Sequence, residues 1–366
     1  MIREGKFGFQ EALSILFISM TTKVLFTSPA VIIRMVGTAG WYLTLISALT
    51  AGIGLFFLVK LINRFPGSNL MDIYEKVLGK GIGPVFSFFL AGCLFFTASV
   101  NLREYTEVMK VYVMPLSPPS YIIILFILVI SVMAFMGLES IARFSKFILL
   151  IIVCGFIIVI CLAYKNYSMG RLFPILGYGL KKTIFTGIGR SSVYGELVLI
   201  GVFAASLHGT KHIKKIGFWS LVTSAVFISL NLLFFSLAFP YFSGQEMTSP
   251  MYELAALINI GSFFQRMEPI FVFLWNFSSF ISVTALFYAS MMIYSHIFRI
   301  MDRKPLVMPM AIMLFALAML PEGLSSVMND SVQFLRTWGW VGYFLPQLLT
   351  LLVAVIRKKK EEPTNA

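Results

Sequence analysis

Apolar residues fill most of this chain in long runs separated by short polar stretches. The pattern predicts ten membrane-crossing helices at about 9–35, 40–62, 83–112, 120–137, 144–163, 184–207, 216–240, 268–298, 305–320 and 339–356. A helix rises ~1.5 Å per residue, so about 20 apolar residues suffice for a hydrocarbon core ~30 Å thick. Two charges break the pattern most sharply: Lys23 lies near the middle of the first run and Glu196 near the middle of the sixth. A charge at that depth costs ~2.5–3.5 kcal/mol on insertion scales, and each surrounding Leu, Ile, Phe or Val returns only ~0.3–0.6 kcal/mol. The segments still insert, and the two charges point to a polar site inside the bilayer.

The runs fall into two sets of five, 9–163 and 184–356, followed by a basic tail at 357–366. A charged, interrupted segment opens each set, which is how an inverted-repeat transporter reads from sequence. The expected fold is an all-α polytopic membrane protein forming one transmembrane domain, a 5+5 inverted repeat with helices 1 and 6 broken. Two connections carry structure of their own. In 69–80, Leu70, Ile73, Tyr74, Val77 and Leu78 recur at helical spacing, predicting an amphipathic helix along the interface. The stretch 241–266 holds Ser249-Pro250 and then an apolar run, Leu254 to Ile260, read as a partly inserted cap.

Composition agrees with a membrane protein. The 366 residues are 58% hydrophobic and 12% charged, with a mean hydropathy of +0.89, whereas soluble domains are about 25% charged. The net charge of +13 reflects topology and not nucleic-acid binding, because Lys and Arg gather at span ends. Most lie in the connections on the side of the N-terminus, which predicts that both termini are cytoplasmic. The first run is too long for a signal-peptide core and is read as an uncleaved span. Cys93, Cys154 and Cys161 all fall in apolar spans and read as packing residues.

The candidate chemistry sits around the two charges. Pro29 lacks an N–H and frees carbonyls near Leu25 and Phe26, while Thr21, Thr22, Thr27 and Ser28 could bond freed backbone or a ligand. Gly187, Gly189, Ser191, Ser192 and Gly195 loosen the helix around Glu196, with Arg190 beside it. Lys23 and Glu196 either pair with each other or hold the carboxylate and amine of a zwitterionic ligand; the sequence leaves both open. Phe96 and Thr97 in span three, and Trp275 and Asn276 in span eight, extend the candidate ligand set. Arg103 and Glu107, four residues apart, form with Glu104 a structural or gating ion cluster to which Arg190 and Glu268 also belong. Glu268 and Pro269 suit the first turn of a helix. His208 and His212 have helical ligand spacing but lack a third ligand, so no metal is expected. No P-loop, nucleophile elbow or paired acid–base motif is present, so neither an enzyme nor a cofactor is expected.

A resemblance joins these pieces. Gly40-Trp41 opens span two, Leu102-Arg103 and Glu107 lead to Met114-Pro115 and Pro118, and Gly195-Glu196 lies in span six. Gln265-Arg266-Met267-Glu268 precedes span eight and Trp275, and Pro321-Glu322 follows span nine. In this order and spacing the chain resembles the B subunit of the spore germinant receptors, the GerB-type spore permeases of the amino acid–polyamine–organocation superfamily. The resemblance implies a LeuT-like core in the spore inner membrane. It also implies partnership with a receptor A subunit and a lipoprotein C subunit, and a role in binding a small-molecule germinant, often an amino acid. One feature departs from it. Relatives commonly carry a glycine-containing break in span one, where this chain has Met20-Thr21-Thr22-Lys23. A lysine there stands where a ligand amine or a coupling cation would sit. A germinant sensor and a secondary transporter of amino acids or organic cations, with or without proton coupling, both fit this architecture.

Overall fold

The computed structural model describes residues 5–25, 27–207, 212–260, 264–265 and 267–361. Among these, seven helical stretches are long and apolar enough to cross a membrane, and Phe9–Thr21 and Lys304–Met319 are shorter apolar helices. The first span is α1 (Phe9–Thr21), a 3₁₀ turn over Thr22–Leu25, and α2 (Ser28–Val36). It is followed by α3 (Gly40–Arg64), α4 (Leu70–Tyr112), α5 (Pro119–Met136) and α6 (Leu138–Leu162). The sixth span is α7 (Leu180–Gly189), a 3₁₀ stretch over Ser191–Val198, and α8 (Leu199–Val202). Next come α9 (Ile213–Ala238), α10 (Tyr241–Gly244), α11 (Pro250–Ala256), α12 (Glu268–Ile297) and α13 (Val307–Met319). The last span joins α14 (Leu324–Ser326), a π-helical turn over Val327–Val332, α15 (Gln333–Tyr343) and α16 (Leu345–Ile356).

The packing has the symmetry of the repeat. Helix α3 lies along α9, α4 along α12 and α5 along α13, so spans two, three and four each meet the span five places later. Helix α6 packs on α1 and α12; correspondingly, α15 packs on the broken 191–198 stretch and on α4. Thr22, Lys23 and the 191–198 stretch are buried among these spans, a setting in which irregular backbone is tolerated at membrane depth.

Two spans begin earlier than the apolar pattern indicates. Span five starts at Leu138, since Glu139 and Arg143 pair across one helical turn at 2.6 Å and so do not end the helix. Span ten starts at Leu324, because Ser325, Asn329, Asp330 and Gln333 are helical despite their polarity. Cys154 and Cys161 lie on the exposed face of α6 and not in the packed interior.

The amphipathic helix of 69–80 forms the start of α4, capped by reciprocal bonds between Asn69 and Asp72. Its apolar face does not float on the interface: Leu70, Ile73, Tyr74 and Val77 are fully buried against the protein. At Gly79 the backbone turns sharply (φ 89°, ψ 171°) into the span proper. The predicted cap consists of α10, α11 and a two-stranded antiparallel ribbon pairing Asn259–Ile260 with Phe264–Gln265. It is tied to the end of α4 by Tyr112, whose hydroxyl donates to Glu253 Oε1 at 2.9 Å.

Gly79 occupies a region of backbone space that is essentially restricted to glycine, so Gly79→Ala is expected to cost about 1–3 kcal/mol. Gly92, whose added methyl would meet nothing within 4 Å, is the control, and Gly92→Ala is expected to be neutral or stabilising by about 0.4–1 kcal/mol. Thermal unfolding of the purified protein in detergent checks both, and equal melting temperatures for the two variants would contradict the assignment.

Candidate functional site

The break in span one begins with hydroxyl groups that compete for the helix backbone. Thr21 and Thr22 donate to the carbonyls of Phe17 and Ile18 at 2.8 and 2.6 Å, and the helix tightens into the 3₁₀ turn that carries Lys23. Pro29 is in the first turn of α2, where its missing N–H leaves no bond unmade. In span six, α7 ends at Gly189 and the 3₁₀ stretch turns the backbone so that Val193 presents its carbonyl toward span one. The Lys23 ammonium of the first break meets that carbonyl.

Lys23 Nζ lies 2.6 Å from Glu196 Oε2 and donates at 2.5 Å to the carbonyl of Val193. Both side chains are 1% exposed, so the contact is a desolvated, hydrogen-bonded ion pair across the two breaks. Of the two arrangements left open by the sequence, this structure holds the direct pair. Glu196 Oε1 has no protein partner among the described residues.

A second link joins span one to span three. Glu104, completely buried, accepts from the Thr27 backbone N–H at 3.2 Å and from the Thr27 hydroxyl. The sequence pattern predicts Glu104 in the ion cluster with Arg103 and Glu107. It turns inward instead, because adjacent residues on a helix point about 100° apart. Arg103 and Glu107 do pair, at 2.9 Å, and the Arg103 guanidinium also donates to the Ala318 carbonyl at 3.4 Å.

The remaining candidates divide by position. Thr22 shares a hydrogen bond of 2.7 Å with Ser278 of α12, and Ser28 and Ser191 are buried at the two breaks. The Ser192 hydroxyl donates to the Arg336 carbonyl at 2.9 Å. The ring of Tyr343 lies over Gly195, where an added Cβ would come within 2.1 Å of it, and the Tyr343 hydroxyl bonds to Thr97. Only glycine permits this approach. Trp275 and Asn276 belong to an aromatic cluster with Tyr105, whose ring centroid is 5.0 Å from that of Trp275 and whose hydroxyl donates to Asn276. Phe96 does not reach the break: it packs edge-on against Phe334 at 6.0 Å. Arg190 does not neutralise Glu196; its guanidinium donates to Gln333 Oε1 at 3.2 Å and lies 2.9 Å from the Met35 sulfur. Glu268 is buried at the first turn of α12, as its position beside Pro269 predicts. His208, Arg266 and Phe26 lie outside the described residues, and no metal-binding group of side chains occurs among the described ones.

The apolar pattern does not single out Arg336. Reading span ten from residue 339 put it in a connection, whereas it lies on α15, is 4% exposed, and is within electrostatic range of Lys23, Glu104 and Arg190. The overlooked signal is Arg336 at helical spacing from Gly339 and Tyr343 on the face that meets the 191–198 stretch.

Removing one partner of a buried ion pair leaves the other uncompensated and typically costs about 3–5 kcal/mol, whereas replacing both with apolar groups is often near neutral. Lys23→Met and Glu196→Leu should each lower thermal stability strongly. The double variant should regain most of the loss, and additive losses in that cycle would argue against the pair.

The fold and the sequence have known counterparts. Over residues 8–326 the chain matches the family model described as spore germination protein. Spore germination protein A2 of Bacillus subtilis is 24% identical over 369 residues, covering 95% of each chain. Spore germination protein KB of the same organism is 21% identical over 339 residues, covering 90% of each. Among solved structures, MhsT in complex with L-phenylalanine aligns over 98% of this chain and 91% of its own, with a TM-score of 0.67 and 14% identity. A Na+-coupled sialic acid symporter aligns over 94% of this chain and 79% of its own, with a TM-score of 0.64 and 9% identity. The ten spans, the paired repeats and the two broken helices are thus those of a LeuT-type fold, and the chain belongs to the spore germination protein family.

Proposed function

We propose that this protein is the germinant-sensing membrane subunit of a spore germination receptor. In this reading it resides in the spore inner membrane with both termini cytoplasmic, beside an A subunit and a lipoprotein C subunit. A small nutrient binds where the two broken helices meet. The observation that carries the proposal is the desolvated Lys23–Glu196 pair, 2.6 Å long, which ties the two breaks together. A ligand that takes over contacts made by Lys23, Glu196 or the Val193 carbonyl favours a state in which the breaks separate. Binding then shifts the equilibrium of the receptor by its differential affinity for the two states. Thr22, Thr27, Ser28, Ser191, Ser192 and Gly195 line the same breaks and complete the proposed site, while Thr97 and Tyr343 hold one flank.

A second reading, secondary transport, is favoured by the fold shared with MhsT and the sialic acid symporter. Lys23 weighs against cation-coupled transport, since its ammonium already supplies a positive charge to the carboxylate and carbonyl at the break. Neither reading involves an enzymatic step, and the similar proteins are germination proteins and transporters.

Spores carrying Glu196→Gln should lose the nutrient response while immunoblots still find the protein in the inner membrane. A full response from the correctly inserted variant would exclude this site. Uptake of labelled nutrient into vesicles separates the two readings: the sensor predicts binding without accumulation, and concentrative uptake would favour transport.

A further inference from the structure

The buried charges around the two breaks do not balance. Lys23, Arg190 and Arg336 are 1%, 6% and 4% exposed, and Glu104 and Glu196 are 0% and 1% exposed. Three cations thus face two anions, while Arg103 and Glu107 pair with each other and add no net charge. Guanidinium groups do not discharge by losing a proton, so the positive charges of Arg190 and Arg336 are permanent. Lys23 is matched by Glu196, and Glu104 is held by Thr27. Among the described residues neither Arg190 nor Arg336 forms an ion pair, and the Nε atoms of both lack an acceptor. A buried charge without a counter-charge is strongly destabilising, which a bound anion would offset.

The geometry also specifies what else the anion carries. Glu104 Oε2 and Glu196 Oε1 are buried acceptors without donors. A ligand filling the site should therefore bring at least one hydroxyl or similar donor beside its negative group. The ammonium of a zwitterion would duplicate Lys23 and leave the excess positive charge in place. A planar guanidinium recognises a carboxylate through two parallel hydrogen bonds, so a carboxylate suits Arg336 better than a spherical ion does.

We infer that the ligand of this site is a small organic monoanion, a carboxylate bearing a hydroxyl, with Arg336 anchoring the carboxylate. The inference rests on the break being the ligand site, as proposed above, and names the chemical class that site accepts. Arg336 thereby becomes the carboxylate anchor, and the Lys23 ammonium disfavours an amino acid relative to a hydroxycarboxylate.

The test is thermal unfolding of the purified full-length chain in detergent, titrated with matched pairs at constant ionic strength: glycolate with glycine, L-lactate with L-alanine, L-malate with L-aspartate, and sodium chloride alone. Pairs of monocarboxylates differ only in a hydroxyl replacing an ammonium, and the dicarboxylate pair shows whether a second carboxylate is accepted. At least one hydroxymonocarboxylate should give half-maximal stabilisation at a concentration about tenfold or more below its amino counterpart, a gap of about 1.4 kcal/mol. Arg336→Gln should weaken that stabilisation about tenfold or more, with Arg336→Lys keeping part of it. Amino acids stabilising as well as the hydroxy acids, chloride alone reproducing the effect, or Arg336→Gln leaving it unchanged would each overturn the inference while leaving the site itself in place. No stabilisation by either class would overturn the site assignment along with it. If Arg336→Gln fails to fold, the wild-type comparison decides between the ligand classes by itself.

Discussion

A helix broken inside a bilayer leaves backbone groups that lipid cannot satisfy, and this protein meets that demand by joining its two breaks. Lys23 contributes the contact from span one, and Glu196 with the Val193 carbonyl receives it in span six. Each partner would be costly alone; together they neutralise a charge and occupy a freed carbonyl. The surrounding architecture follows from that constraint. The span-one turn packs against α12 and α11 and the 191–198 stretch against α15, α3 and α1, which keeps lipid from irregular backbone, and the pseudo-symmetric packing brings the two breaks face to face.

The same constraint explains the unusual polarity of the interior. Glu104 holds the Thr27 end of the first break, Ser192 reaches Arg336, and Tyr343 closes over Gly195. Each contact crosses between different spans, so the region behaves as one network and not as a set of helix caps. Networks of this kind rigidify a core when fully satisfied, and an unpaired buried polar group within them is costly. Glu104, Glu196, Arg190 and Arg336 each keep a buried side-chain atom without a partner among the described residues.

Much of the fold was legible because hydrophobic runs of this length have one common explanation. Lys23 and Glu196 were legible for the opposite reason, as charges where charge is costly. Arg103 and Glu107 followed from helical spacing alone. Other positions depended on which way a helix face turns, which a buried span with little amphipathic contrast does not reveal. Glu104 points inward while its neighbour Arg103 pairs along the helix, and Phe96 points away from the break toward Phe334. Arg336 escaped because the polar residues of 325–333 suggested a connection; they instead form helix, part of it π-helical. Local polarity is a poor guide to helix ends where neighbouring spans supply the packing.

The most direct measurement is the Lys23 Nζ to Glu196 Oε2 distance in experimental structures determined with and without a germinant that triggers the response. Contact near 2.6 Å without ligand, and separation with ligand density lying between the two breaks, is the predicted result. A pair that stays closed while the germinant binds elsewhere would contradict the central role assigned to it.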